Sequence, residues 1–399
     1  MESSRFVVKQ AGAHDEANCG GPATNFVDCG GIFVNTFPDG LARVDKTHPG
    51  VLFPNNDPVS DPNQPYLIQW SLTLQSEILP GTALTATYSG SHSVKNPRLA
   101  DHNRPTATFA NGEWFYECDR VSGSGRCEAL RANSNFLQMK DRRWDSNSWY
   151  HSVRLGLRRR FSSGVSYQLS YQFSKSIDQG STTVSNPSSV NTQGYRATNW
   201  LDHRIDQGPS AYNVPNVFSA NWVYELPFGA GATGVVGQLI GGWSINGILN
   251  LADGSPVSIT GGHDVTCDNF CSDVRPSLLA GGTSRPVEVG EPTNWYGPTA
   301  AADNFEAPAP GHFGNIGRNS MVGPGVATLD FSIHKRFPIN EGAQVQFRAE
   351  FFNIVNRTNF GSPRRAALGS SGTPEDRFGE ITRTNTTSRQ IQLALRIEF

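Results

Sequence analysis

The stretch Arg389-Gln390-Ile391-Gln392-Leu393-Ala394-Leu395-Arg396-Ile397-Glu398-Phe399 decides the fold. Ile391, Leu393, Leu395, Ile397 and Phe399 take every second position, with Gln392, Ala394, Arg396 and Glu398 between them. Successive side chains of a strand point to opposite sides, so this is a strand with one greasy face and one wet face.

The pattern repeats upstream. Val345, Phe347, Ala349 and Phe351 alternate with Gln344, Gln346, Arg348 and Glu350, and Leu329, Phe331 and Ile333 with Asp330, Ser332 and His334. Six earlier segments behave alike: 66–78, 82–92, 149–161, 165–175, 217–226 and 243–252. That makes nine strands, or ten if 26–37 contributes one. Many of the segments run to about ten residues or more, the length of a tilted membrane-crossing strand, whereas globular strands average roughly five or six.

Loop lengths point the same way. Leu79-Pro80-Gly81, Ser162-Ser163-Gly164 and Pro338-Ile339-Asn340-Glu341-Gly342 are tight connections, and 227–241 is an intermediate one. Between them lie long stretches: 93–148, 177–213, 255–325 and 357–386. Short turns on one side and long loops on the other are the habit of outer-membrane barrels. A compact soluble domain seldom carries repeated structureless loops of that length. The fold expected is all-β, an antiparallel transmembrane β-barrel with long outer loops. Residues 61–399 belong to the barrel, and 1–60 form an outer loop or partial strand region. In such a barrel the apolar face meets lipid and the polar face lines water. Gln344, Gln346, Arg348, Glu350, Gln392, Arg396 and Glu398 are therefore expected to face the lumen.

Composition fits this reading. Hydrophobic residues make up only 37% and the mean hydropathy is −0.41, yet 23 Phe, 10 Tyr and 8 Trp accompany 41 Gly and 25 Pro. Alternating strands joined by polar loops give that profile, while a helical membrane protein needs an unbroken apolar run of about 20 residues. Lys+Arg 33 against Asp+Glu 35, with no basic run that stands out, argues against a nucleic-acid partner.

Six cysteines fall into local pairs: Cys19 and Cys29, Cys118 and Cys127, Cys267 and Cys271. Counted back from a periplasmic Phe399, every pair lies on the outer, oxidising side, which suggests loop disulfides. Free thiols are the alternative. A metal site has less support, since no C-x-x-C or flanking His pair is present.

Several ordered stretches resemble the barrel of TonB-dependent receptors, in particular the Oar-like group common in Acidobacteria. They are Gly314-Asn315-Ile316-Gly317-Arg318-Asn319, Gly323-Pro324-Gly325, Asp330-Phe331-Ser332, Lys335-Arg336-Phe337 and Phe347-Arg348-Ala349-Glu350-Phe351-Phe352-Asn353. Asn356 and Asn359-Phe360-Gly361 follow. Upstream, Tyr224-Glu225-Leu226-Pro227-Phe228-Gly229, Gly241-Gly242-Trp243-Ser244-Ile245-Asn246-Gly247 and Asp202-His203-Arg204 fit as well. The resemblance covers roughly 60–399 and implies uptake of a ligand such as a siderophore, glycan or peptide. Outer-membrane lipid, the barrel assembly machinery and the TonB system are the implied partners. Phe399, closing an alternating strand, resembles the signal that the assembly machinery reads.

Family members also carry an export signal and a plug domain, and such transporters have about 22 strands. Met1-Glu2-Ser3-Ser4-Arg5-Phe6 shows no export signal. The expectation is therefore a fragment of a larger barrel, with TonB reached only through a plug outside this sequence. A structural or adhesive surface barrel without transport is the alternative.

No catalytic set, cofactor site or metal site is expected. Adjacent residues such as Asp202-His203-Arg204 cannot converge on a substrate, and a hydrogen-bonded loop base is the better reading. Arg158-Arg159-Arg160 and His334-Lys335-Arg336 read as charged membrane borders where long side chains snorkel. Trp149, Tyr150, Trp222, Tyr224 and Trp243 read as interface girdles.

Overall fold

The computed structural model describes residues 63–101, 107–115, 140–181, 198–199, 202–229, 234–261, 275–286, 288–309, 311–340, 342–369 and 371–399, and the backbone of three short strands before them. Its centre is one antiparallel sheet whose nine long strands follow each other in chain order. We number them β1 (Tyr66–Leu79), β2 (Thr82–Asp101), β3 (Lys140–Ser162), β4 (Val165–Asp178), β5 (Asn216–Glu225), β6 (Trp243–Ala252), β7 (Val326–Asn340), β8 (Ala343–Phe352) and β9 (Gln390–Glu398). Among the described residues β1 and β9 are the two edges, and the wall is open between them.

The register turns the alternation into two continuous faces. Leu74 pairs with Ala86, Ala86 with Leu155, Leu155 with Tyr171, Tyr171 with Phe218 and Phe218 with Leu251. These side chains stand outward: Leu74 is 65% exposed and Leu395, on β9, 68%. Leu84, Leu155, Phe173 and Leu251 are exposed too, and apolar side chains exposed on strand after strand belong in hydrocarbon, not in water. Cross-strand pairs on the other face are polar, for example Thr73 with Thr87, Ser152 with Ser174, Ser170 with Ser219 and Asn246 with Ser332.

The turns follow from local chemistry. Ser163 and Gly164 both have positive φ (53° and 77°), the two-residue turn whose twist matches a hairpin. The 226–242 connection holds a short helix, Gly234–Ile240. Among the described residues no helix is long and apolar enough to cross a membrane, which leaves the strands as the spanning elements.

Three expectations change. β2 runs on to Asp101 and β3 starts at Lys140, so the first long loop is shorter than 93–148. Their outer ends have polar residues on both faces, and the register shifts between Ser93 and Asn96, where Lys95 takes a φ of 60°. Strict alternation therefore stops where pairing does not, and that hides the extension. Ile32–Val34, inside the suggested tenth strand, pairs with Val7–Gln10 in a separate three-stranded sheet that also includes Leu52–Pro54. The long outer loops are not structureless either. Val257, Ile259, Trp295, Tyr296, Phe305, Ile316, Met321, Leu368, Phe378 and Ile381 form a buried apolar core of their own.

Candidate functional site

A basin of about 600 Å³ lies on the polar face of the wall. Six consecutive strands line it. β3 brings Arg158 and Arg160, β4 Gln168, β5 Asn221, β6 Asn246, β7 Asp330 and Ser332, and β8 Glu350. One basin touched by six neighbouring strands requires the sheet to curve with its polar side concave. Cations stand on the β3 side and carboxylates on the β7–β8 side, with amides, hydroxyls and the apolar Val223 and Ile248 between them. Such a surface donates and accepts hydrogen bonds and holds both charge signs, so it can bind a polar solute.

The seven residues expected to face a lumen share this face through the register of β8 and β9. Glu350 pairs with Gln392, Gln346 with Arg396 and Gln344 with Glu398. Only Glu350 of the seven lines the basin. The rest continue toward the β9 edge as a hydrogen-bonded band. The Arg348 Nε donates to Gln346 Oε1 at 2.9 Å, the Gln344 amide donates to Glu398, and Arg396 pairs with Glu398 at 3.2 Å. Phe399 follows the end of β9 fully exposed. All six cysteines lie outside the described residues.

At the outer end of the wall the loops form a cap. Residues 253–325 and 353–389 share the apolar core and are tied by backbone bonds: Thr260 N to Arg365 O (2.9 Å), Trp295 N to Gly379 O (3.2 Å) and Ile381 N to Pro292 O (2.7 Å). Burial pushes the Tyr296 phenol well above its usual range, and nearby Glu288 adds to this; its hydroxyl donates to Val322 O at 3.0 Å.

A third loop is fastened by buried arginines. Arg318, 1% exposed, pairs with the Asp178 carboxylate and donates to Ser181 Oγ (2.8 Å) and Asp206 O (2.7 Å). Arg275 donates to Ile205 O at 2.7 Å and pairs with Asp206 at 3.4 Å. Burial draws the Arg275 pKa down while Asp206 opposes this. An arginine nevertheless stays charged, so the pair is held as ions.

The stretches that carried the family resemblance include the closures of this cap. Asn319 donates to Pro209 O (2.7 Å), and Asn359 clasps Ala327 with its Oδ1 and Nδ2 (2.8 and 3.0 Å). At Gly314 an added Cβ would stand 1.9 Å from Arg275 O, so that position admits only glycine.

Asp202-His203-Arg204 does form a hydrogen-bonded loop base. Asp202 caps the short turn His203–Asp206, accepts Arg204 Nε (2.9 Å) and N (3.0 Å), and takes Trp114 Nε1 at 3.3 Å. The Arg204 side chain is the main cause that lowers the Asp202 pKa to about 2.

Other readings need correction. Arg158, paired with Gln168, stands on the polar face and lines the basin, as Arg160 does; Arg159 touches the basin too but pairs with Tyr167 at an apolar-face position. Tyr150 lies on the polar face, where Gln172 reaches its hydroxyl at 3.3 Å, because its position in β3 has the wrong parity for a girdle. Lys335 does not snorkel. It is 1% exposed, donates to Gly241 O and lies 4.9 Å from the Phe337 ring centroid. Sequence reasoning missed Arg275, Arg318, Asp178 and Asp206 as a set. Arg318 stands in a stretch that the sequence singled out, but nothing local marks the other three as its neighbours, because they meet only when distant loops fold together.

Comparison with known proteins agrees with this architecture. Residues 6–392 match the outer membrane beta barrel domain. Solved structures with a similar fold include the outer membrane transporter YddB from Escherichia coli (11% identity, TM-score 0.39, 87% of this chain and 35% of that one). The FrpB iron transporter from Neisseria meningitidis is another (10%, 0.37, 88% and 33%), and P. aeruginosa FpvA bound to pyoverdine a third (8%, 0.35, 83% and 27%). The chain spans about a third of the length of these structures. Comparison with curated proteins found no match. With the family match over nearly its whole length, the chain belongs to the outer membrane beta barrel domain family and resides in the outer membrane.

Proposed function

We propose that this chain is part of the wall of a transport barrel of the TonB-dependent, Oar-like kind, which takes up a polar ligand such as a siderophore, glycan or peptide. The observation that carries the reading is the basin: both charge signs, converging from six strands of a wall whose outer loops are held by buried ion pairs. A wall that only anchored a surface structure would have no need for such a concave face. In this reading Gln344, Gln346, Arg348, Glu350, Gln392, Arg396 and Glu398 extend the lumen wall, 61–399 is the barrel part, and Phe399 addresses the assembly machinery. Energy for uptake comes from the TonB system.

The firmness of the cap favours the second reading, a surface barrel for adhesion, because a rigid outer face also suits contact with other cells. Deleting the gene in the source strain separates the two. Transport predicts a growth defect only when a particular nutrient is scarce, reproduced by disrupting the TonB system. A loss of cell–cell adhesion with no nutrient-dependent defect would remove the transport reading.

A further inference from the structure

The apolar face of the wall carries a one-signed set of charges. Among the described residues, the lipid-facing positions from the tight turns up to the row of His92 and Trp149 hold no Asp or Glu. The cations Arg159 and Lys335 lie at the end of the tight turns, and His92, His151 and Lys175 lie at the opposite, loop-bearing end. The second group is compact. Lys175 is the direct cross-strand partner of His151, and His151 that of Gly90; His92 pairs with Trp149 in the next row.

Aromatic rings frame this group. Trp70 meets His151 edge-on at 5.9 Å, and His92 stacks on Trp149 at 5.2 Å. The Tyr88 hydroxyl lies 2.8 Å from His151 Nδ1. With that hydroxyl donating to Nδ1, the ring proton sits on Nε2 and is offered to an outside acceptor. The Lys175 side chain is exposed beside it.

Height decides what the patch meets. Lys175 follows Val165, the first residue of β4, by ten positions. At about 3.3 Å per residue and a tilt of about 40°, that is roughly 25 Å above the periplasmic turn, the height of the hydrocarbon band. The residues directly below, Leu72, Tyr88, Val153 and Phe173, are apolar and exposed. Lys175 and His151 therefore stand at the outer headgroup level with acyl chains beneath them. Soluble anions have no reason to prefer such a place.

We infer that Lys175 and His151, flanked by Trp70, His92 and Trp149, form a binding site for the phosphate group of an anionic lipid in the outer leaflet. This inference depends on the outer-membrane placement and not on the transport reading.

The test uses the whole protein, reconstituted in bilayers of phosphatidylcholine with or without phosphatidic acid, then released in mild detergent and weighed by native mass spectrometry. The expected result is a retained phosphatidic acid adduct. Lys175→Gln, which removes the cation, should lower its occupancy by about fivefold; adding His151→Gln, which removes the ring N–H donor, should lower it further, and Lys175→Arg should keep it. Both side chains point away from the fold, and the heat-modifiable band on gels reports that each variant is folded. Equal occupancy in the double variant would overturn the site. Competition by millimolar inorganic phosphate would overturn the lipid source and leave a site for free phosphate.

Discussion

The indole of Trp222 lies across Gly247, its direct partner on the neighbouring strand, so closely that a Cβ there would sit 2.1 Å from Cζ2 of the ring. Trp70 covers Gly90 in the same way, at 2.4 Å. In both pairs a large lipid-facing ring covers a position that has no side chain, which repairs the packing gap a glycine leaves in a strand.

Gly247→Ala should therefore push the Trp222 ring outward and not unfold the wall. The indole is the free end of a side chain and can swing toward lipid, so the cost expected is about 1 kcal/mol, the low end of overpacking. Urea unfolding in vesicles, followed by tryptophan fluorescence, measures it. Adding Trp222→Ala should make the glycine substitution nearly neutral; if the two costs simply add, the ring and the added methyl are not in conflict.

Arg318→Ala leaves the Asp178 carboxylate buried without its cation, a loss of about 3–5 kcal/mol that falls on the cap. Limited proteolysis should open the 179–215 loop while the gel-shift signature of the wall persists. Arg318→Lys should rescue little, since one ammonium cannot replace a planar fork that reaches Asp178, Ser181 and Asp206 together.

Phe305→Ala removes a ring that is 2% exposed and meets Phe378 edge-on at 5.7 Å. A cost of about 3–5 kcal/mol is expected in the cap core. Hydrogen exchange should rise in 288–309 and 371–381 but not in β7 or β8. Equal loss of protection in those strands would mean that cap and wall fold as one unit.

Asp202 sets a pH limit. Its folded pKa is depressed to about 2, so its contribution is present above the unfolded value near 3.8 and is lost as pH falls through about 2. The link from Trp114 to Asp202 should hold at pH 4 and fail near pH 2. Carboxyl NMR of Asp-labelled protein in micelles checks this: one resonance, absent in Asp202→Asn, should titrate near 2. A midpoint close to 4 would contradict the Arg204 contact.

The strands were legible because each spans lipid on one side and a polar interior on the other. That pressure writes period-two alternation directly into the chain, as in Ile391-Gln392-Leu393-Ala394-Leu395. The outer ends of β2 and β3 were not legible, since beyond the membrane both faces are polar and a paired strand there reads like a loop. Tyr150 was misplaced for a related reason: composition suggested a girdle, but in a strand parity decides the side. The candidate site was half readable. The polar face of β7, β8 and β9 could be listed residue by residue. That Arg158 and Asp330 line one basin depends on the curvature of the sheet, which no single strand encodes.

The sequence by itself determined the all-β class, the two faces of the wall, and the separation of tight turns from long loops. Each follows from side chains in one strand or from a turn of a few residues, interactions between near neighbours. Only the tertiary structure decided that the outer loops share a core, that Arg318 meets Asp178 and Arg275 meets Asp206, and that Lys175 stands beside His151. Those partners lie far apart along the chain and come together through strand register and loop docking, where burial and charge pairing act across space with no repeating local pattern.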